Sequence, residues 1–326
     1  MEPVRRDPQA IRPPFEFVGG PPEYVWHPPR KFRDRVWVHT VLFLATVLST
    51  TIIGELHYAG FITDFAVRPL TVTGGALFVR GLWYSGTILA ILGCHELGHY
   101  FACRYYDVDA SLPFFLPAPF VQLTGTLGAF IRIREPIPSK RMLFDIGIAG
   151  PIAGFLVAVP ALFLGLWMSR VVVFPIGVDG LELGEPLLFK LVAWLFWGTV
   201  PEGYTLNLHP VAFAAWFGLL ATALNLFPIG QFDGGHISYA VLGRKSSQVT
   251  LVMVVVAAAL TYFSLSWLVW TVLAISMLFL FGRHHPRTFD EDVPLDPTRR
   301  RLALFAVVMF ILSFTPAPIE PLKLIR

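Results

Sequence analysis

Two histidines and a glutamate stand at the spacing of a metal-dependent hydrolase in the stretch LGCHELGHYF, residues 92–101. Residues four positions apart on an α-helix lie on one face, about one turn apart, so His95 and His99 can direct their imidazoles at one ion. Glu96 lies one position further round the helix, where it can reach a water molecule and act as a general base. This pattern predicts hydrolysis assisted by zinc, which binds imidazole nitrogen at roughly 2.0–2.1 Å.

An alternative is that the three side chains are buried together without a metal. The nine residues before the motif, WYSGTILAI (83–91), carry no charge and are typical of a membrane segment. An ionisable side chain at membrane depth costs free energy unless it is paired or functional. Three such groups within five residues therefore favour a shared metal ion.

The third metal ligand is expected from a distant segment, because no HxxGxxH extension follows His99 in YFACRYYDVDA. Asn225 and Asp233 are polar residues in the otherwise apolar stretch ATALNLFPIGQFDGGH, where Pro228 and Gly230 interrupt any continuous helix. Broken helix at membrane depth is tolerated where it lines a cavity or is buried in protein. Asp233 is thus a candidate ligand, or else the N-cap of the short helix that follows.

The segments HELGHY, NLFPIGQFDGGH and GTLGAFIRIREPIPSKRMLFDIGIAGPIAGF together resemble the site-2 proteases, the intramembrane zinc metalloproteases. The resemblance covers roughly residues 80–300, and PIGQFDGGH is more similar to the plant-chloroplast and related bacterial branch than to the PDZ-bearing branch. It implies one zinc ion per chain, held by His95, His99 and Asp233, with Glu96 as the base. It also implies that Asn225 holds substrate or stabilises an oxyanion. A hydrogen bond between helices is the open alternative for Asn225.

The composition indicates what must position these residues. The chain is 55% hydrophobic and 14% charged, against about 25% charged for a soluble domain. Seven apolar segments are candidate spans, near residues 36–54, 81–103, 143–168, 210–228, 249–263, 267–282 and 302–314. We therefore predict an all-α polytopic membrane protein with six or seven transmembrane helices. Residues 1–35 form a flexible cytoplasmic tail in this prediction, 36–316 the membrane-embedded metalloprotease domain with its catalytic core at about 81–243, and 317–326 a C-terminal tail.

The distribution of positive charge predicts the orientation. Nineteen of the 25 Lys and Arg residues fall on the side of the N-terminal tail, so this side is expected to be cytoplasmic and the motif to lie towards it. The net charge of +3 does not indicate a nucleic-acid surface. We expect a multi-pass protein of the bacterial inner membrane, since the tail is too acidic and too poor in serine for a good transit peptide; a plastid membrane is the open alternative.

The connection between the second and third spans predicts a small β-structure. Residues 112–120 are too rich in proline to span and are typical of an interfacial or re-entrant loop, whereas 126–134 alternate as a strand does. The resemblance implies a membrane-associated β-hairpin here, which can pair with an extended substrate; a plain amphipathic surface hairpin is the alternative. Beyond it, Gly150 and Gly154 indicate close helix packing, and Asp145 either caps that helix or neighbours the site. Residues 187–197 predict an interfacial helix.

These features lead to the hypothesis of a zinc-dependent intramembrane endopeptidase that performs regulated intramembrane proteolysis. It would hydrolyse membrane-anchored proteins, single-span proteins above all, within or near the lipid bilayer. Two other classes are considered: a catalytically inactive membrane scaffold, and an ion-coupled transporter with a relay through Glu96, Asp145 and Asp233. A transporter predicts inverted repeats of helices, and the sequence shows none.

Overall fold

Long helices dominate the computed structural model, which describes residues 31–119, 121, 123–174, 180–281 and 288–321. The helices in these ranges are α1 (Val36–Ile62), α2 (Gly75–Tyr105), α3 (Lys140–Met168), α4 (Leu187–Trp197), α5 (Pro210–Asn225), α6 (Asp233–Leu242), α7 (Ser246–Phe263), α8 (Leu268–Phe281) and α9 (Pro297–Ser313). The short strands are β1 (Phe114–Pro117), β2 (Thr126–Phe130), β3 (Arg170–Val173), β4 (Leu181–Leu183), β5 (Tyr204–Asn207) and β6 (Ile319–Pro321). These elements belong to one compact unit, which begins at Phe32.

The predicted fold class is confirmed in its coarse form, a mostly helical membrane protein with small strands. Among the described residues, four helical segments are long and apolar enough to cross a membrane: α1, α2, α3 and the run Asp233–Phe263 that joins α6 to α7. The predicted segments at 210–228 and 302–314 correspond to α5 and α9, which are shorter. A count of six or seven spans stays a prediction.

Helices α1 and α2 are both longer than their predicted spans. The predicted ends, at residues 54 and 81, come next to the charged residues Glu55 and Arg80, yet the helices continue through both. The 31 residues of α2 make a helix of about 46 Å at 1.5 Å per residue, longer than a hydrocarbon core of about 30 Å. Gly54 and Gly81 bring the two helices together, since a methyl group at either would overlap the backbone of the other helix.

Helix α3 lies at the centre of the bundle and packs against α2, α5 and α6. Fully buried side chains fill this core, among them Leu162, Trp216 and Leu219. Ser139 caps the N-terminus of α3 by accepting a hydrogen bond from the backbone amide of Arg141. Asp145 lies within the helix, so the capping role considered for it is wrong.

The connection between α2 and α3 contains an antiparallel hairpin of β1 and β2. β2 covers the first part of the predicted strand at 126–134, and Ile133 continues the pairing through a bridge to Ala110. β1 lies in the segment predicted as a loop. Its register shifts between Phe115 and Pro117, where proline has no backbone N–H to donate.

The hairpin segment follows α1 along much of its length. Near one end of α1, His39 Nδ1 lies 3.0 Å from the carbonyl oxygen of Pro113. Near the other end, His57 Nε2 lies 3.0 Å from the carbonyl oxygen of Leu123. These histidines are 18 positions apart in one helix, which corresponds to about 27 Å.

Two further pairs of strands, β3 with β5 and β4 with β6, and two short 3-10 helices, Gly243–Lys245 and Leu265–Trp267, complete the described secondary structure. β6 falls within the segment predicted as the C-terminal tail, at 317–326. Of the predicted N-terminal tail, residues 1–30 lie outside the described residues, and 31–35 precede α1 without forming a helix or strand.

Candidate metal centre

Helix α2 presents His95 and His99 on one face, as their spacing predicts. Both side chains are buried, and their Nε2 atoms lie 3.1 Å apart. A helix supplies this arrangement because residues four apart differ by only about 40° in direction around the axis. The two imidazoles therefore point into one space between α2 and its neighbours.

Asp233 reaches the same space from the first residue of α6. Its Oδ2 atom lies 3.3 Å from Nε2 of His95 and 3.3 Å from Nε2 of His99. The N-cap of α6 is Phe232, which forms no side-chain capping bond, so the alternative role of Asp233 as an N-cap is wrong. Gly234, the second residue of α6, allows this helix to lie close to the end of α5, since a methyl group there would overlap the Leu226 backbone.

The three candidate ligand atoms fit a tetrahedral ion. Ligands at about 2.0–2.1 Å from the centre of a tetrahedron lie about 3.3 Å from one another. The separations of 3.1, 3.3 and 3.3 Å match this edge length closely. Two nitrogens and one carboxylate oxygen also leave a fourth position open, as catalytic zinc sites require.

The backbone of α3 fixes the tautomer of His99. Its Nδ1 atom lies 2.7 Å from the carbonyl oxygen of Ile146. A carbonyl oxygen only accepts hydrogen bonds, so Nδ1 carries a proton and Nε2 of the neutral ring presents a lone pair. This lone pair and the carboxylate of Asp233 then face one space as electron-pair donors, which is the arrangement that a bound cation requires. Such outer hydrogen bonds commonly orient the histidine ligands of metals.

Two glycines of α3 make room for the histidine rings. Gly150 faces His99, and a methyl group at Gly150 would overlap the imidazole. A Cβ atom at Gly154, one turn later, would lie 3.1 Å from the Cβ atom of His95. The close packing predicted from the spacing of these glycines thus falls beside the candidate metal ligands.

Glu96 is buried, with 7% of its surface exposed. Its carboxylate interacts with the backbone amide of Ile131, the residue that follows β2. The candidate base therefore lies between the helix that carries the histidines and the end of the hairpin. This position suits a group that must be held close to a substrate backbone.

Asn225 lies at the C-terminal end of α5, and its Nδ2 atom is 3.1 Å from Nε2 of His95. The structure thus brings together the five residues singled out in the sequence. The Asn225 amide contacts His95 across two helices, α5 and α2, so it lies beside the candidate ligand set, where both a helix-linking role and an oxyanion role stay open. Sequence patterns missed the backbone groups of Ile131 and Ile146, because such patterns report side chains.

Comparison with known proteins agrees with this site. Residues 83–268, more than half of the chain, match the model of peptidase family M50. The chain is 29% identical over 223 residues to the probable chloroplastic zinc metalloprotease EGY2 of Arabidopsis thaliana, covering 68% of this chain and 39% of that protein. It is 34% identical over 168 residues to the probable chloroplastic zinc metalloprotease EGY1 of Oryza sativa subsp. japonica, covering 49% and 28%.

The chain spans less than half the length of these relatives. The match to the family model includes both His95 and Asp233 and the helices between them. On this match, the chain belongs to peptidase family M50, the site-2 protease family.

Proposed function

We propose that this protein is a zinc-dependent endopeptidase that cleaves membrane-anchored proteins within or near the bilayer. The observation that carries the proposal is the set of near-equal separations, 3.1–3.3 Å, between His95, His99 and Asp233. Glu96 beside this set supplies the base that hydrolysis needs. The relatives' names, as zinc metalloproteases, support the same activity.

One zinc ion per chain is held by His95, His99 and Asp233 in this proposal. Zinc, when bound, lowers the pKa of water and polarises a carbonyl as a Lewis acid. A soft thiolate ligand is absent from the candidate set, and imidazole with carboxylate suits a hydrolytic zinc site.

Glu96 moves the proton in the proposed reaction. Its carboxylate takes a proton from water as the water oxygen forms a bond to the peptide carbonyl carbon. When the carbon–nitrogen bond breaks, Glu96 returns the proton to the leaving amine. The side-chain amide of Asn225 donates a hydrogen bond to the oxyanion that develops on the carbonyl oxygen, without adding charge.

The proposed substrates are single-span membrane proteins, bound in extended form. Among the described residues, β2 pairs with β1 along one edge and with no strand along the other, and the backbone of Ile131, which follows β2, lies next to Glu96. Leu127 and Phe130 of β2 are exposed. A substrate strand added to this edge runs towards the base. Because a helix hides its carbonyl groups in i→i−4 bonds, substrate segments with helix-breaking residues are favoured.

The proposed orientation places the N-terminus and the site towards the cytoplasmic face, as the positive-inside rule predicts. In this arrangement the hairpin segment is re-entrant, because its contacts with α1 extend over about 27 Å. The 187–197 helix, α4, has exposed apolar residues such as Trp194 and Leu195 and one lysine, Lys190. It suits the opposite interface. A bacterial inner membrane stays the predicted location, whereas the named relatives are chloroplastic.

Quantitative membrane proteomics tests this function. Cells with the active protein are compared with cells that carry Glu96→Gln, a change that keeps the size of the side chain and removes its basic carboxylate. Single-span proteins should accumulate in the variant, and their cleaved fragments should disappear. An unchanged membrane proteome would favour an inactive scaffold instead.

A further inference from the structure

A polar cluster lies just beyond the metal centre, where the end of α2, the first turns of α3 and the start of α9 meet. Arg299 of α9 donates two hydrogen bonds to Asp145 of α3, with Nε–Oδ1 and Nη2–Oδ2 distances of 2.9 and 2.5 Å. The hydroxyl of Tyr106, at the end of α2, donates to the same carboxylate. Arg299 also pairs with Asp296. We call Tyr106, Asp145 and Arg299 the α3 latch.

The α3 latch is one residue away from a group that orients a candidate metal ligand. Asp145 directly precedes Ile146, whose carbonyl oxygen binds Nδ1 of His99. Tyr106, which directly follows α2, comes seven positions after His99, so its side chain leaves the chain in nearly the same direction as that of His99. The α2 segment therefore contacts two consecutive residues of α3: Tyr106 bonds to Asp145, and His99 bonds to Ile146.

Arg299 has an unusual position in its own helix. It lies in the first turn of α9, where the helix dipole disfavours a cation. The adjacent Arg300 and Arg301 are exposed, whereas only 24% of the Arg299 side chain is exposed. The planar fork of its guanidinium group contacts both oxygens of Asp145, a geometry that lysine cannot reproduce.

The segment that leads into α9 is held against α3 as well. Asp290 accepts hydrogen bonds from the hydroxyl of Ser139 and from the amide of Lys140, at 2.8 and 2.7 Å. The Nζ atom of Lys140 donates to the carbonyl oxygen of Glu291. The start of α3 is therefore fixed at two places by residues that lie about 150 positions later in the chain.

We propose that Asp145 and Arg299 are positioning residues for the metal centre. They hold the first turns of α3 in the position from which the Ile146 carbonyl oxygen binds the ring of His99. This role rests on the proposed zinc site. Through Arg299, helix α9 contributes to the affinity for the ion although it carries none of the candidate metal ligands.

Zinc release from the full-length protein in detergent tests the role. After zinc loading, transfer of the ion to an excess of a chromogenic chelator is followed for wild type, Arg299→Gln and Asp145→Asn. Loss of an outer hydrogen-bond partner commonly weakens metal binding about 10–100-fold, and we expect release to accelerate within that range. Cobalt-loaded samples should show altered visible absorption, because the ligand geometry changes.

Matched variants separate positioning from general destabilisation. Arg300→Gln removes the same charge one residue away and should release zinc as wild type does. Tyr106→Phe, which deletes one hydroxyl, and Arg299→Lys, which keeps the charge, should give smaller increases. Asp145→Asn and Arg299→Gln should be non-additive when combined, because each breaks the same pair.

Release at the wild-type rate in Arg299→Gln and Asp145→Asn, with unchanged cobalt absorption, would overturn the positioning role alone. A wild-type protein that binds no zinc would overturn both this role and the proposed function. Zinc content of the wild type thus distinguishes the two failures.

Discussion

Gly150 faces the imidazole ring of His99 with no space for a methyl group between them. The position of the His99 ring therefore depends on Gly150, a residue of another helix, because glycine has no side chain. Overpacking of this kind typically costs about 1–3 kcal/mol. A methyl group at Gly150 is expected to relieve part of this overlap by displacing the imidazole ring of His99.

Gly150→Ala is accordingly expected to lower zinc affinity at least about tenfold, as other losses around metal ligands do, and to lower the thermal midpoint. Gly86→Ala is the matched control, because Gly86 lies in α2 and a methyl group there meets open space. Zinc content after dialysis and thermal unfolding measure both effects. Equal zinc content in the two variants would contradict the packing argument.

Asn225 is expected to act on the reaction rather than on metal binding. Loss of one oxyanion donor typically lowers kcat about 10²–10³-fold. Asn225→Ala should therefore lower kcat by this order while keeping one zinc per chain. Asn225→Asp should also fail, because it replaces a donor with a negative charge beside the oxyanion. If the alanine variant instead loses zinc with kcat per bound zinc unchanged, the amide serves the ligand His95.

The open edge of β2 is expected to contact the substrate strand. Leu127 of β2 is 69% exposed, and Leu156, on α3, is 66% exposed. In a Glu96→Gln protein without the native Cys94 and Cys103, a cysteine at 127 should form disulfides with cysteines placed near a substrate's cleavage site. A cysteine at 156 provides the control. Equal cross-linking at both positions would contradict binding along β2.

His209 is expected to make stability depend on pH. It is 3% exposed, and burial lowers the pKa of His209 to about 4. In the unfolded chain its pKa is about 6.5, so the unfolded state binds more protons between these values. Stability should thus fall by about 1–3 kcal/mol as the pH drops from about 6.5 to 4.

His209→Asn is a suitable control for this pH dependence. His209 accepts a hydrogen bond from the Val211 amide at the start of α5, and asparagine also serves well as an N-cap. The variant lacks a titrating group, so its stability should change less over the same range. Parallel stability curves for the two proteins would contradict the assignment.

The sequence predicted the helices better than their contacts. The bounds of α4 agree with the predicted helix at 187–197, since an apolar run after Pro186 and before Gly198 has clear ends. α1 was predicted too short, because Glu55 and His57 suggest the end of a span. His57 is instead accommodated inside the bundle by the Leu123 carbonyl and the ring of Tyr84, and no local pattern reports such a partner.

The candidate ligands and base could be predicted from the sequence, because they are polar residues in apolar segments. The residues that hold them in position could not. An HExxH motif and an aspartate at a helix break are visible without coordinates. The pair of Asp145 and Arg299, 154 positions apart, is not. A cation in the first turn of a helix was the available signal. The hairpin was signalled by the alternation at 131–134, which lies just beyond β2, but β1 was hidden by the prolines around it.

The most direct test of the central claim combines zinc analysis with a cleavage assay on one set of purified proteins. Wild type, Glu96→Gln and Asp233→Asn are reconstituted with a single-span substrate, and zinc per chain is measured by mass spectrometry. We predict one zinc and cleavage for wild type, one zinc without cleavage for Glu96→Gln, and loss of both for Asp233→Asn. Cleavage by Glu96→Gln, or full zinc content in Asp233→Asn, would contradict the account.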